Sequence, residues 1–280
     1  MKIQGSVAVV TGGASGIGKA ICQALAAEGA KVCIIDINAA QGRTFADELK
    51  HAHGEENILF ARADVTSQEE LEGVFDDAKD TLGPLDIVIN NAGIVDEINW
   101  RSCVNVNLMG VISGTRLAVD YMSGKNGGSG GVIISTASVS GLVPEQYHFL
   151  PTYGATKAAV IAHTLSWSAN PRCQREGIRI NAVCPEGVNT PIVDVLKHPE
   201  LLIDMSEELT RAFDRDLETM KPSRVAEVVM ELILDDTKNG AIIHLTAEKA
   251  QQVRLECPDM INSFCTTVSA SSELAIGHEK

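Results

Sequence analysis

The chain of 280 residues is 45% hydrophobic and 21% charged, which is ample apolar material for a core and too little charge for a disordered chain. Asp and Glu outnumber Lys and Arg by 37 to 23, a formal net charge of −14. With no basic block or stripe in the sequence, that balance argues against nucleic-acid and anionic-membrane partners. No apolar run approaches the roughly 18 residues that span a bilayer, so no membrane insertion is expected. The amino terminus "MKIQGSVAVV" reaches an apolar strand within a few residues, so no signal peptide is expected. Seven cysteines are scattered without a CxxC pair, and a soluble, cytoplasmic protein with reduced thiols is expected.

The first strand is expected at "SVAVV"; it runs into "TGGASGIG" and then a helix on which Ile17, Ile21, Ala24 and Leu25 share one face. A second strand, "KVCII", ends at Asp36, and a third, "NILFARA", ends at Asp64. Ser67, three residues before Glu70, has capping-box spacing and marks the next helix start. "LDIVIN" runs into "NNAG"; "GVIIST", fed by the turn "GKNGGSGG", is followed by Ser138; "IRINAV" is followed by Pro185. Pro222 suits the first turn of the helix "PSRVAEVVMELIL", and a seventh strand, "AIIHLT", comes after Asp-Asp and Asn-Gly turn signals.

Alternating strands and helices predict parallel βαβ units, and nearly continuous apolar strands predict helices on both faces. The expected fold is α/β: a single domain over residues 1–265 built on a doubly wound, Rossmann-type parallel sheet of seven strands. Residues 186–221, a long excursion with an acidic helical stretch, are expected to form a substrate lid, and residues 266–280 a flexible tail.

Ligands of open α/β sheets bind beyond the carboxyl ends of the strands, and six consecutive strand ends here carry special residues. Gly12, Gly16 and Gly18 lie where a backbone without Cβ can turn tightly and bring a pyrophosphate onto a helix amino terminus. The spacing is not GxGxxG, and such a turn alone is a weak signal. Asp36, eighteen residues after Gly18, strengthens it. Its carboxylate can accept from ribose hydroxyls and would repel a 2′-phosphate, with no arginine at Ile37 or among Gly13, Ala14 and Ser15 to offset it. NAD is therefore expected over NADP. Asp64 is expected beside the adenine, with helix capping or turn chemistry as the alternative.

In "TYGATKAAV", Tyr153 and Lys157 stand one helical turn apart on the same face. Free tyrosine titrates near about 10, and an ammonium within about 4–6 Å favours the phenolate. Lys157 is thus expected to lower the tyrosine pKa and to hold the nicotinamide ribose. Ser138, fifteen residues before Tyr153, can share the substrate oxygen. No metal site is expected, and His51 and His53 read as a solvated pair on a polar helix.

Taken together, these residues resemble the short-chain dehydrogenase/reductase family over roughly residues 5–250. The resemblance implies a catalytic triad of Ser138, Tyr153 and Lys157, with Asn107 in "NVNLMG" at a helix kink that carries a proton-relay water. It implies an NAD site made by Gly12, Gly16, Ile17, Gly18, Asp36, Asp64, Val65, Asn91, Ala92, Gly93, Tyr153, Lys157, Pro185, Val188 and Thr190. Within it, Thr190 of "VNTPI" meets the nicotinamide carboxamide. It also implies a homodimer through the helices bearing Asn107 and Tyr153. One departure is Pro185, Glu186, Gly187 where the family has Pro-Gly, which brings the bulk and charge of Glu186 near the nicotinamide.

"DYMSGKNGGSGGVIIS", "VISGT", "INAVCP", "GVNT" and "DDTKNGAI" resemble an NAD-dependent, oxylipin-oxidising branch of the family. That branch carries a glutamine three residues before the tyrosine, a position held here by Leu150; Gln146 or His148 is expected to take its polar role. The implied reaction is NAD-dependent oxidation of a secondary hydroxyl on a lipophilic alcohol, an oxylipin first and a steroid or simpler alcohol second. Ser138, Gln146, His148 and Tyr153 would contact the substrate, flanked by Leu142, Val143, Phe149, Leu150, Ile192 and Val193. A non-catalytic NAD-binding regulatory protein is the rival reading, opposed by the intact triad.

Overall fold

The computed structural model describes residues 1–198, 201–203 and 219–254. Val7–Thr11 (β1) is buried along its length, as a β-branched run covered on both faces requires. The other strands are Lys31–Asp36 (β2), Ile58–Arg62 (β3), Ile87–Asn90 (β4), Gly131–Thr136 (β5), Ile178–Pro185 (β6), Ile242–Leu245 (β7) and Ala250–Val253 (β8). They form one sheet in the order β3-β2-β1-β4-β5-β6-β7-β8.

Seven strands run parallel, in the expected places, but the sheet has eight: β8 pairs antiparallel with β7, Leu245 opposite Ala250. Its sequence "AQQV" is polar and mostly exposed, so no hydrophobic period announces it. Main-chain pairing holds it at the edge, together with a turn in which Thr246 Oγ1 accepts from the N–H groups of Glu248 and Lys249.

Alternate residues of each strand feed opposite faces. On one face Val10, Ile34, Ile89 and Ile134 pack with Gly16–Ala27 (α1), Ala39–His53 (α2) and the late helix Pro222–Leu234. On the other, Val9, Ile35, Val88 and Ile133 meet Leu71 and Phe75 of Gln68–Leu82 (α3), and Leu117 and Met122 of a helix over Gly110–Met122. The remaining helices are Trp100–Val104 (α4), then Gly110–Met122 (α5), Pro151–Ser168 (α6), Pro171–Arg175 (α7) and Pro222–Leu234 (α8). The single-domain, doubly wound α/β architecture is the one expected.

Only half of the Ser67 capping box forms: Ser67 Oγ accepts from Glu70 N at 3.3 Å, while the Glu70 carboxylate takes the N–H of Asp64 instead. The connections leave β1 and β4 in opposite directions, so their carboxyl ends border a cleft. Of the expected lid, residues 199–200 and 204–218 lie outside the described residues, as does the expected tail at 266–280. Among the described residues, the five cysteines are buried and free, and no helix is long and apolar enough to cross a membrane.

Candidate active site

The cleft at that switch point encloses about 500 Å³ and is lined on one side by the glycine loop and on the other by the amino-terminal turn of α6. Gly12 has φ 62°, and a Cβ there would stand 2.9 Å from Ala92 Cα, so the loop and "NNAG" approach as closely as backbone allows. Gly18 is tighter still, since its Cβ would lie 2.1 Å from the Gly12 carbonyl oxygen; it packs behind the loop rather than on the cleft wall. Ser15 occupies the N-cap position of α1 without a side-chain cap bond. The first-turn N–H groups beside Gly16 and Ile17 therefore suit a phosphate.

Asn91 clips the strand ends together. Its Nδ2 donates to the carbonyls of Thr11 (3.0 Å) and Gly12 (3.3 Å), and its Oδ1 accepts from Thr136 Oγ1 at 3.2 Å. Thr11 Oγ1 accepts from the N–H groups of both Asn91 and Ala92. Gly93 then leaves room for Lys157 Nζ and Asn107 Oδ1, which a Cβ would meet at 3.5 and 3.3 Å.

Tyr153, Lys157 and Ser138 converge on the cleft. The 18-residue α6 carries the first two one turn apart, and Lys157 Nζ lies 5.5 Å from the Tyr153 ring centroid. The amine donates to the Thr136 carbonyl at 2.8 Å. Ser138 Oγ accepts from Ser140 N (3.2 Å) and Ser140 Oγ (3.0 Å), which leaves its own proton for a partner in the cleft. Burial pushes the Tyr153 phenol up to about 12, the hydrogen bond with Ser138 pulls the other way, and Cys103 and Tyr147 add to the rise. Burial also lowers Lys157 to about 8, opposed by the thiols of Cys103 and Cys184. The expected depression of the tyrosine by the ammonium is thus not met: desolvation of both groups outweighs their interaction.

Asn107 sits in a π-turn, Asn105–Met109, between α4 and α5. Its Oδ1 accepts from Ile94 N at 2.8 Å, and its Nδ2 donates to Ile94 O at 2.9 Å. Contacts to Cys103 Sγ and Thr156 Oγ1 complete the set. The amide is therefore engaged by protein and clamps the loop behind Lys157.

Ala92, Gly93, Pro185, Val188 and Thr190 line the same cleft, and Thr190 reaches across to within 3.0 Å of a Cβ at Gly16. Asp36, Asp64 and Val65 stand outside the cleft wall, at and beyond the ends of β2 and β3. Both Asp36 oxygens accept backbone N–H groups, from Ala14 and Asn38, each at 3.0 Å. Asp64 Oδ1 accepts from the N–H and hydroxyl of Thr66, which is turn chemistry. Val65 packs under Gly110.

Phe149, Leu150, Ile192 and Val193 form the expected apolar wing, joined by Val95 and Val195. Leu142 packs instead against a cluster containing Val160 and Ile161 of α6, and Val143 is likewise off the wall. Gln146 and His148 are exposed and do not face the cleft. The 3₁₀ turn Pro144–Tyr147 turns Tyr147 inward between them, a residue that no motif or spacing in the sequence marks. Glu186 lies on the wall, but its Oε1 is 2.9 Å from His244 Nε2 and its N–H donates to Leu245 O. The extra residue after Pro185 is thereby tied to β7.

The short chain dehydrogenase model matches residues 6–200. The chain is 38% identical over 267 residues to 15-hydroxyprostaglandin dehydrogenase (NAD(+)) of Rattus norvegicus, covering 94% of this chain and 98% of that protein. To 3-beta-hydroxysteroid dehydrogenase of Comamonas testosteroni it is 34% identical over 257 residues, covering 87% and 95%. The crystal structure of levodione reductase matches with a TM-score of 0.75 at 25% identity, over 87% of this chain and 97% of that one. Because the match runs through the glycine loop and the tyrosine helix alike, this chain belongs to the short-chain dehydrogenase family.

Proposed function

We propose that this protein is an NAD-dependent dehydrogenase that oxidises a secondary hydroxyl on a lipophilic substrate, an oxylipin of the 15-hydroxyprostaglandin kind. The observation that carries the reading is the continuity of one cleft from the glycine loop, past Ser138, Tyr153 and Lys157, into a wing of Phe149, Leu150, Ile192 and Val193. The 38% identity to a 15-hydroxyprostaglandin dehydrogenase supports the substrate class.

The open N-terminus of α1 suits the pyrophosphate, and Asp36, at the outer end of β2, is the ribose acceptor that favours NAD. Lys157 and Thr190 would hold the nicotinamide end. When bound, NAD supplies the hydride acceptor. Tyr153, as the phenolate, takes the hydroxyl proton at its oxygen, and Ser138 Oγ, oriented by Ser140, holds the carbinol oxygen. Lys157, facing Asn107 across Gly93, would with it carry a water relay that moves the proton from Tyr153 out to solvent. The apolar wing excludes water from the carbinol carbon.

The test is NADH formation by purified protein over oxylipins, sterols and short secondary alcohols, with NAD and with NADP. Tyr153→Phe is expected to lose activity by about 10²–10⁴-fold; wild-type turnover in that variant would refute the assignment. A steroid substrate is the second reading, favoured by the buried Leu150 where the prostaglandin enzyme has glutamine and by the 34% identity to a hydroxysteroid dehydrogenase. Among the described residues, the five buried free thiols fit a reducing, cytoplasmic location. A homodimer through α5 and α6 belongs to the same reading, since exposed Ala155, Ala162 and Ser166 make a small-residue face on α6. A monomer in sedimentation at micromolar concentration would refute it.

A further inference from the structure

The start of α6 lacks a cap of its own. Leu150 holds the N-cap position and makes no side-chain cap bond, although the first N–H groups of any helix have no partner within it. The partner comes from 55 residues earlier in the chain. Glu97, on the loop between β4 and α4 and only 4% exposed, accepts from Thr152 N through Oε2 at 2.9 Å. Its Oε1 accepts from Tyr153 N at 2.8 Å. A buried carboxylate is costly unless fully bonded, and here it also meets the positive end of a helix dipole.

The main chain of Glu97 is itself held. Glu97 N donates to Leu201 O at 3.2 Å, and Ile203 N donates to Phe149 O at 3.2 Å. Leu202 packs with Phe149 and Leu150 in a small cluster that also touches Tyr153. The loop carrying Glu97 is therefore pinned through residues 201–203, so its two acceptors present a fixed template to the main chain of Thr152 and Tyr153.

We infer that Glu97 is a positioning residue for the reaction: by binding the Thr152 and Tyr153 amides it sets where the Tyr153 phenol stands relative to Ser138 and Lys157. This rests on the proposed role of Tyr153. A serine or asparagine cap reaches one amide from its own helix end, whereas a bidentate carboxylate from another loop fixes both the height and the rotation of the first turn. Glutamine in its place keeps one acceptor and sets an NH₂ donor against an N–H.

The experiment compares the full chain with Glu97→Gln and Glu97→Asp. For Glu97→Gln the expected result is a kcat for alcohol oxidation lower by about tenfold to a hundredfold. The KM for NAD should stay within about twofold, because the cofactor loop is untouched. Glu97→Asp keeps the charge and should recover part of the loss. A folded Glu97→Gln protein with unchanged kcat would overturn the inference, and so would parallel losses in kcat and NAD affinity.

Amide hydrogen exchange on the unsubstituted protein gives a second reading that does not depend on any variant folding. The Thr152 and Tyr153 amides should exchange slowly, like interior helix amides; exchange at the rate of open first-turn amides would overturn the inference alone. Protected amides in a wild-type protein that turns over no alcohol would instead overturn the dehydrogenase reading, and with it the catalytic meaning of the contact.

Discussion

Lys157→Met exchanges a buried amine for an apolar side chain of similar length, and its effect on stability can be worked from the site. Burial takes Lys157 from its ordinary 10.5 to about 8. At about 1.36 kcal/mol per pH unit, that gap costs the fold about 3 kcal/mol at pH 7, where the amine is charged both folded and unfolded. Methionine removes this cost but also the bond to the Thr136 carbonyl at 2.8 Å, worth about 1 kcal/mol net for a neutral donor. The variant should thus be more stable by about 2 kcal/mol, a rise of roughly 4–8 °C in Tm for a chain of this size, while losing dehydrogenase activity.

The pH dependence distinguishes this cause from better packing. A base whose folded pKa is depressed binds fewer protons folded than unfolded, so wild-type stability rises as pH climbs from about 8 to 10.5. The advantage of methionine is full below about 8 and mostly gone by about pH 10. Urea unfolding followed by circular dichroism at both pH values measures it. A variant less stable at pH 7, or one with the same gain at both pH values, would refute the reasoning.

Asp36→Ala should raise the NADP-to-NAD ratio of kcat/KM by about tenfold or more, since it removes a like charge from the 2′-phosphate position; a ratio unchanged in steady-state assays would show that Asp36 does not read the ribose. With the Tyr153 phenol pushed up to about 12, kcat/KM for alcohol oxidation should climb from neutral to alkaline pH as the phenolate fraction grows. Ser138→Ala, lacking the hydrogen bond that lowers that pKa, should move the profile further up; a profile that stays flat in both proteins would remove Tyr153 as the base.

The sheet and the rim were legible because their signals are local. Buried parallel strands read as apolar runs, and Gly12, Tyr153 and Lys157 stand within motifs whose spacing is set by one turn or one helix. β8 escaped because an edge strand held by main-chain pairing needs no apolar side chains. Glu97 escaped because its partners lie 55 and 56 residues away, and nothing in the local sequence marks an acceptor destined for another element's amides.

Gln146 and His148 were misplaced for a related reason. Counting back from Tyr153 gives a position in sequence, but the 3₁₀ turn over Pro144–Tyr147 sets which side chain points inward, and it selects Tyr147. The tyrosine–lysine pair was found by spacing, while the balance between attraction and desolvation depended on burial that spacing does not encode.

Thr136 has a consequence for anyone who would re-engineer the protein. Its hydroxyl donates to Asn91, whose amide holds the Gly12 carbonyl, and its own carbonyl receives Lys157. On the proposed reading, the loop for the phosphates and the amine for proton chemistry hence share one hydrogen-bonded linkage. A directed-evolution library that diversifies residues 12–18 while freezing 91 and 136 will sample mostly broken linkages, whereas one that varies the three places jointly has a route to new cofactor fits with the amine still in register.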